Sequence, residues 1–309
     1  MKIFAKVPNI NFMAQRKTGL WGSGILTVVA ILLIAFHGLN FGIDFTGGVL
    51  VEVSYPQPVE LEEVRSELGE AGYHNAMVQH FGSASALLIR LPPAKEASTA
   101  EVSSQVLNAL HAKDKGIELR RIEFVGPQVG EELFNDGGLA LLVAFIGIAV
   151  YIMFRFEWKF SVGAVAAVVH DVIMVLGFLA LFDIEFDITT LAAILALMGY
   201  SNNETIVIFD RVRENLIGER RSDVLDVVNL SVNQTLLRSI ITHVATSLVL
   251  IALLTLGGAT VHSFSAALLF GVIVATYSSI YISTNLAVAL GVSREDLLPP
   301  QDKEIDEMP

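Results

Sequence analysis

The chain has 309 residues, of which 53% are hydrophobic and 17% charged, and its mean hydropathy is +0.60. This composition is typical of a protein largely embedded in lipid and argues against a soluble domain with a single core. The formal net charge of −12 argues against a nucleic-acid partner, whose phosphates require a basic surface. The absence of cysteine excludes disulfides and thiolate metal sites.

Six apolar segments are long enough to cross a bilayer, which takes about 20 mostly apolar residues in a helix. Numbered as spans one to six, they lie near residues 18–39, 138–156, 160–182, 188–209, 236–257 and 264–290. The even number places both termini, residues 1–17 and 291–309, on one side. Lys and Arg occur in the N-terminal tail, the turn after span two and the segment after span four. The opposite short loops have none. The positive-inside rule therefore predicts cytoplasmic termini, and span one, which lacks a persuasive cleavage site, is expected to be a retained anchor.

A polar segment, residues 42–136, separates spans one and two. Its patterns predict strands near 48–55, 74–81, 86–91 and 117–125. A first helix is expected over 58–71, and a second follows the capping-box residues Ser98 to Glu101. The resulting βαββαβ order predicts a ferredoxin-like α+β domain. The fold class is thus a polytopic α-helical membrane protein with six transmembrane helices and this domain, outside the cytoplasm, between the first two; the family resemblance given below implies that it is periplasmic.

Residues 210–234 combine charges with apolar positions at helical spacing, such as Val212, Leu216 and Val228. This pattern predicts an amphipathic helical connector on the cytoplasmic surface. Docking of a partner protein is the alternative. The acidic, non-periodic residues 301–309 are expected to be disordered.

Glu204 stands out because it lies inside the apolar run of span four. A charged group at this depth costs about 2.5–3.5 kcal/mol on insertion scales, so such groups usually face a bundle interior or an aqueous path. The sequence therefore predicts a functional site at Glu204. A structural acid bonded to a neighbouring helix is the alternative.

Other polar residues could contribute to the same site. His170 and Asp171, near the middle of span three, could extend a proton relay or satisfy interhelical hydrogen bonds. Asn202 and Asn203 could bind water or a cation, or bond to other helices. Thr242 and His243 could line a cavity at the same site. Asp187 is expected to cap a helix and Asp44 to shape the turn after span one.

Several unusual strings resemble the SecF family of bacterial protein-export membrane proteins. They are Gly42-Ile43-Asp44-Phe45-Thr46-Gly47-Gly48, Phe124-Val125-Gly126-Pro127-Gln128-Val129-Gly130, Phe154-Arg155-Phe156-Glu157-Trp158, His170-Asp171 and the block of residues 199–215. They occur in the family's order over nearly the whole chain. The resemblance implies the six-span fold, a relation to resistance-nodulation-division transporters and use of an ion gradient to assist export after the ATP-driven step.

The resemblance also implies functional residues and partners. The family's intramembrane carboxylate corresponds to Glu204, and its arginine at the start of span five corresponds to Arg238. The family usually has Asp at the first position, so Glu204 is a departure that adds a methylene. The implied coupling ion is a proton or sodium, with no cofactor. The implied partners are a SecD-like subunit, the SecYEG channel, YajC and unfolded exported polypeptides in the bacterial inner membrane.

Two other functions are alternatives. One is a stand-alone ion-driven exporter of small molecules, although such transporters often contain two homologous halves and this chain has one six-span set. The other is an intramembrane hydrolase using Ser23 with His170 or His243 as the base. The chain has no P-loop and no H-E-x-x-H motif, so we expect a translocation subunit rather than an enzyme.

Overall fold

The structure is a computed structural model that describes residues 8–81, 83–92, 108, 110, 116–218 and 223–297. Within these residues, six helices are long and apolar enough to cross a membrane, which confirms the six predicted spans. In chain order they are Met13–Phe36, Pro127–Arg155, Trp158–Leu181, Ile188–Gly218, Val224–Leu256 and His262–Ala289. Spans three, four and six are the most buried and form the centre of the bundle, while spans one, two and five lie at its periphery.

The helices extend beyond the apolar segments that predicted them. Residues 210–218 continue the helix of span four, and residues 224–234 begin the helix of span five. The predicted helical segment over 210–234 is thus formed by the ends of two long helices, and residues 219–222 lie outside the described part of the chain. The physical reason is packing, because Val212 and Leu216 share a buried cluster with Val227 and Val228 and so hold the two helix ends together.

Span six is interrupted by a turn of π-helix. The helix His262–Ser278 is followed by the π-helical residues Ser279–Ser283 and then by the helix Thr284–Ala289. Such π-bulges often occur at functional sites. This one begins directly after Ser278, which belongs to a buried polar cluster described below.

The domain between spans one and two contains a four-stranded antiparallel sheet. With β1 as Asn40–Phe41, its strands are β2, β3, β4 and β5, spanning Gly48–Ser54, Met77–Phe81, Ser83–Leu91 and Glu118–Val125. They are arranged in the order β3-β4-β2-β5. With the helix Leu61–Glu70 between β2 and β3, this is the predicted ferredoxin-like arrangement. The predicted second helix and its capping box lie outside the described residues, apart from positions 108 and 110.

Alternation of apolar residues builds the core of this domain. Val51 and Val53 of β2 and Leu87 and Ile89 of β4 are buried with Leu68 of the helix. Successive side chains on a strand point to opposite faces, so these residues cover the helix side of the sheet. The strand pattern in the sequence therefore determines which face of the sheet packs.

A short parallel ladder joins the start of the domain to the loop before span four. Strand β1 pairs with β6, Glu185–Phe186. Asp187 caps span four as predicted, since its Oδ1 accepts from the backbone N–H of Thr190 at 2.7 Å. Asp44 contributes as well, because its Oδ2 accepts from the N–H of Ile188 at 3.0 Å. Besides its place in the turn after span one, Asp44 therefore anchors the beginning of span four.

Candidate functional site

Glu204 lies inside the bundle with 6% of its surface exposed. Its Oε1 accepts a hydrogen bond from the hydroxyl of Ser239 on span five. A buried carboxylate is costly unless it is paired or hydrogen-bonded. The contact with Ser239 therefore offsets part of that cost and connects span four to span five.

His243 approaches the other oxygen of the same carboxylate. Its Nε2 lies 3.6 Å from Oε2 of Glu204, and its Nδ1 is hydrogen-bonded to the hydroxyl of Thr276 on span six. The ring of Tyr200 packs against the imidazole with 5.3 Å between centroids. We call Glu204, Ser239, His243 and Thr276 the carboxylate cluster. It links spans four, five and six at one level of the bundle.

Arg238 does not pair with Glu204 in the described part of the chain. Its side chain is exposed, although it directly precedes Ser239. It lines a cavity of about 270 Å³ together with Val207, Asp210, Arg211, Glu214, Gln234 and Thr235. Val207 and Thr235 lie about one helical turn from Glu204 and Ser239. The cavity therefore ends about one turn from the carboxylate cluster, and Arg238 lines it on the side away from the β-domain.

The two asparagines of span four have different surroundings. Asn203 is exposed, whereas Asn202 is buried and its Oδ1 has no hydrogen-bond partner among the described residues. The hydroxyls of Tyr200 and Thr205 and the Nε2 of His243 likewise have no partner there. Buried polar atoms are usually satisfied, often by ordered water. Of these atoms, Nε2 of His243 lies beside the Glu204 carboxylate, a position suited to water or to a small ion.

A second polar cluster surrounds Asp171, which is 1% exposed. Its Oδ1 lies 2.9 Å from Nδ1 of His170, and its Oδ2 accepts from Ser201 at 2.6 Å and from Ser278 at 2.8 Å. His170 continues the chain of bonds through Nε2 to Ser23 at 2.8 Å. We call these five residues the aspartate cluster. It ties together spans one, three, four and six.

The two clusters are adjacent along two helices. Ser201 precedes Glu204 by three residues on span four, and Thr276 precedes Ser278 by two on span six. Residues three apart are neighbours on a helix surface. The structure thus brings His170 and Asp171 close to Glu204, as a proton relay requires. Every described bond of Asp171 also fits the alternative, in which these residues only make hydrogen bonds between helices.

Sequence reasoning missed most of the hydroxyl groups in these clusters. Ser239, Thr276, Ser201 and Ser278 contact the acids directly, yet serine and threonine are ordinary in membrane helices, where they pack and bond to the backbone. Only the spacing of three residues between Ser201 and Glu204 could have suggested one of them. Among the described residues, no group of three or more His, Cys, Asp or Glu could hold a metal ion.

Comparison with known proteins identifies the family. The model described as "Protein export membrane protein SecD/SecF, C-terminal" matches residues 105–293, and the "SecD/SecF GG Motif" model matches residues 32–59. Protein translocase subunit SecF of Pseudomonas aeruginosa is 48% identical over 307 residues, covering 98% of this chain and 99% of that protein. The SecF subunit of Vibrio alginolyticus is 44% identical over 305 residues, covering 97% of each.

Solved structures agree with the sequence comparison. The crystal structure of SecDF from Thermus thermophilus, described as a translocon-associated membrane protein, has a TM-score of 0.85 at 37% identity and covers 93% of this chain. A SecDF structure in a super-membrane-facing form has a TM-score of 0.70 with the same identity and coverage. This chain spans 39% of each of those chains. The chain belongs to the SecF family of protein translocase subunits.

Proposed function

We propose that this chain is the subunit of a SecDF-type complex that couples an ion gradient to protein export through the Sec channel. Its relatives are named protein translocase subunits over nearly their full length. The matched SecDF chain is more than twice as long, which supports a SecD-like partner for the remaining part. SecYEG, YajC and unfolded polypeptides are the further partners that this role implies.

The buried carboxylate of Glu204 is the observation that carries the proposal. It sits near the centre of the bundle, between Ser239 of span five and the His243–Thr276 pair of spans five and six. Binding an ion there removes or compensates the charge, which changes the interactions that hold these helices together. One elementary charge crossing 100 mV supplies about 2.3 kcal/mol, enough to bias two conformations by more than tenfold.

The charge distribution supports an inner-membrane orientation with both termini cytoplasmic and the β-domain periplasmic. In this orientation the cavity lined by Arg238 opens toward the cytoplasm, so Arg238 acts at an ion path rather than as a fixed counter-charge. Movement of spans one and two is transmitted to the domain through its two connections, Gly47-Gly48 and Gly126-Pro127. The domain then holds or releases the emerging polypeptide without any enzymatic step.

The decisive test compares a buried glutamate with an exposed one. Glu204→Gln keeps the size and hydrogen bonding but removes the titrating charge, so we expect loss of export support while the chain still copurifies with its partner. Glu132→Gln is the matched control, because Glu132 is exposed on span two and does not line the Arg238 cavity. Export is measured as translocation of a preprotein into inverted membrane vesicles with an imposed ion gradient. Normal export by Glu204→Gln would exclude the proposed role.

The departure from aspartate is tested by Glu204→Asp. This change keeps the charge but withdraws the carboxylate by one carbon–carbon bond, about 1.5 Å. Because Oε2 is already 3.6 Å from His243, the shorter side chain loses that contact. We expect export between the wild-type and Glu204→Gln levels. Wild-type export by Glu204→Asp would show that charge alone matters.

The hydrolase alternative has one observation in its favour. Ser23, His170 and Asp171 form a continuous chain of hydrogen bonds, the arrangement that activates a serine nucleophile. Ser23 is 3% exposed, however, and Oδ2 of Asp171 is occupied by two other serines. Labelling with a fluorophosphonate decides this alternative. Labelling that disappears in Ser23→Ala would support hydrolysis, and no labelling of the folded protein would exclude it.

A further inference from the structure

The basic group that contacts Glu204 is an imidazole. Within the described residues, His243 is the ion-pair neighbour of this carboxylate, with 3.6 Å between Nε2 and Oε2. Both side chains are more than nine-tenths buried, and Nε2 has no hydrogen-bond partner there. An arginine stays charged, whereas a histidine changes its charge near neutral pH. The imidazole of His243 and the carboxylate of Glu204 can therefore each accept the same proton.

The hydrogen bonds of Thr276 determine which nitrogen of His243 faces the carboxylate as a base. The Thr276 hydroxyl donates to the carbonyl oxygen of Val272 at 3.0 Å. A hydroxyl has one proton to donate, so its oxygen accepts the bond from Nδ1–H of His243. A neutral imidazole carries a proton on only one nitrogen. While Thr276 donates to Val272, Nε2 is the unprotonated nitrogen and presents its lone pair toward Glu204; a Thr276 hydroxyl turned toward Nδ1 places the proton on Nε2 instead.

We propose that His243 is a proton-carrying residue of the coupling site, which exchanges a proton between its Nε2 and Oε2 of Glu204. The proposal rests on the function proposed above. In the step, the N–H bond of the imidazolium breaks and an O–H bond forms on the carboxylate. Both charges disappear and no electron is transferred. A movement of about 0.5 Å or one bridging water brings the two atoms within hydrogen-bond range.

The composition of the site favours a proton over sodium. Hard cations prefer carboxylate, carbonyl and water oxygens as ligands, whereas imidazole suits transition metals. Here Nε2 of His243 lies next to Oε2 of Glu204, and the hydroxyl of Ser239 donates to Oε1. Two of the positions around the carboxylate are thus held by groups that exchange or donate protons.

Few other titratable groups surround the pair in the described part of the chain. Tyr200 packs on the imidazole from span four, and the contact from span six is the uncharged Thr276. Arg238 of span five is exposed. On span three, His170 and Asp171 bond to each other, and Asp171 also bonds to Ser201 and Ser278. The pair is therefore free to exchange a proton without a fixed counter-charge in contact with it.

The first experiment measures proton flux in proteoliposomes that contain the full chain and its SecD-like partner. His243→Gln retains a polar side chain but cannot carry a proton, and His262→Gln is the matched control because His262 is exposed at the start of span six. Flux is recorded between about pH 5 and 8, the range in which histidine titrates. We expect His243→Gln to lower flux about tenfold or more, since a positioned acid–base group contributes about 100-fold or more to proton transfer.

The shape of the pH profile separates this role from a structural one. The transition in the histidine range is expected in the wild type and in His262→Gln and is expected to be absent in His243→Gln. Replacing sodium by potassium should leave wild-type flux unchanged. A His243→Gln variant with the wild-type profile, or wild-type flux that requires sodium, would overturn the proposal.

A spectroscopic measurement keeps the proposal testable if His243→Gln does not assemble with its partner. In the histidine-labelled complex, the imidazole ¹⁵N signals of His243 are followed with pH. Glu204→Gln should change this titration, and Glu132→Gln, at an exposed position of span two, should not. An unchanged His243 titration in Glu204→Gln would refute the exchange. If Glu204→Gln abolishes export but His243→Gln leaves proton flux unchanged, only this inference fails. If Glu204→Gln exports normally, the proposed function fails.

Discussion

Arg90 of strand β4 and Glu185 in the loop before span four form a buried ion pair, with 2.7 Å between Nη2 and Oε2. The two side chains are 9% and 15% exposed. Nη1 of Arg90 also donates to the side-chain oxygen of Asn40 at 2.7 Å. Burial raises the pKa of Glu185 above its ordinary value, although Arg90 opposes this shift. The pair attaches the β-domain to the membrane bundle.

Removing the arginine should loosen this attachment. Arg90→Ala leaves the Glu185 carboxylate buried without its counter-charge, and breaking a buried pair in this way costs about 3–5 kcal/mol. Chemical denaturation of the purified protein measures the loss. Arg211→Ala is the control, because the exposed Arg211–Glu214 pair should contribute no more than about 1 kcal/mol. Equal effects of the two changes would contradict a special role for the buried pair.

Gly48 is expected to be intolerant of any side chain. Its φ is +130°, and a Cβ there would lie 2.4 Å from the carbonyl oxygen of Leu91. The strained backbone alone costs about 1–3 kcal/mol, and the clash adds to it. Gly48→Ala should therefore lower the yield and thermal stability of the protein. Gly126→Ala provides a comparison at the other connection of the domain, where a Cβ meets no atom within 4 Å. Similar stability of both variants would refute this explanation.

Asp171 should be more important for stability than the serine at the end of its hydrogen-bond chain. Asp171→Asn removes the charge that accepts three hydrogen bonds, and its N–H₂ group fits only toward His170, whose ring must then accept at Nδ1. Hydrogen bonds to charged groups contribute about 1.5–3 kcal/mol each. Ser23→Ala removes only the bond to His170 and should cost about 1 kcal/mol. Thermal unfolding of the two variants checks this order, and the reverse order would refute it.

The segment after span six should detach in acid. Burial raises the pKa of Asp296, but hydrogen bonds from Lys159 and Ser293 outweigh this effect and hold the pKa below its ordinary value. Because the folded-state pKa is the lower one, the stabilising contribution is present above the unfolded-state pKa. It is lost as the pH falls through the folded-state value.

A spin label can report this detachment, because the chain has no native cysteine. Attached through Glu295→Cys, an exposed position, the label should become mobile as the pH falls below the ordinary Asp pKa of about 4 and through the lower folded-state value. With Asp296→Asn in addition, it should be mobile at every pH. A label that stays immobile in acid would show that Asp296 does not hold the segment.

The six membrane spans and the order of strands were predictable because they depend on local properties of the sequence. Apolar length determines which segments can cross a bilayer, and alternation determines which face of a strand is buried. The importance of Glu204 was also predictable, because a carboxylate inside an apolar span is costly whichever residues surround it. The bounds of the helices were less accurate, because Val212 and Leu216 extend span four by packing against the start of span five.

The sequence alone determined that an acid lies inside this membrane protein, and the tertiary structure decided which groups surround it. Arg238 and Ser239 are adjacent, but neighbouring residues on a helix differ in direction by about 100°. Ser239 therefore contacts Glu204, and Arg238 faces away. Ser239 and His243 are four residues apart and therefore share one face of span five, but the sequence does not specify which helices that face meets. Only its packing against spans four and six directs Ser239 and His243 toward the carboxylate.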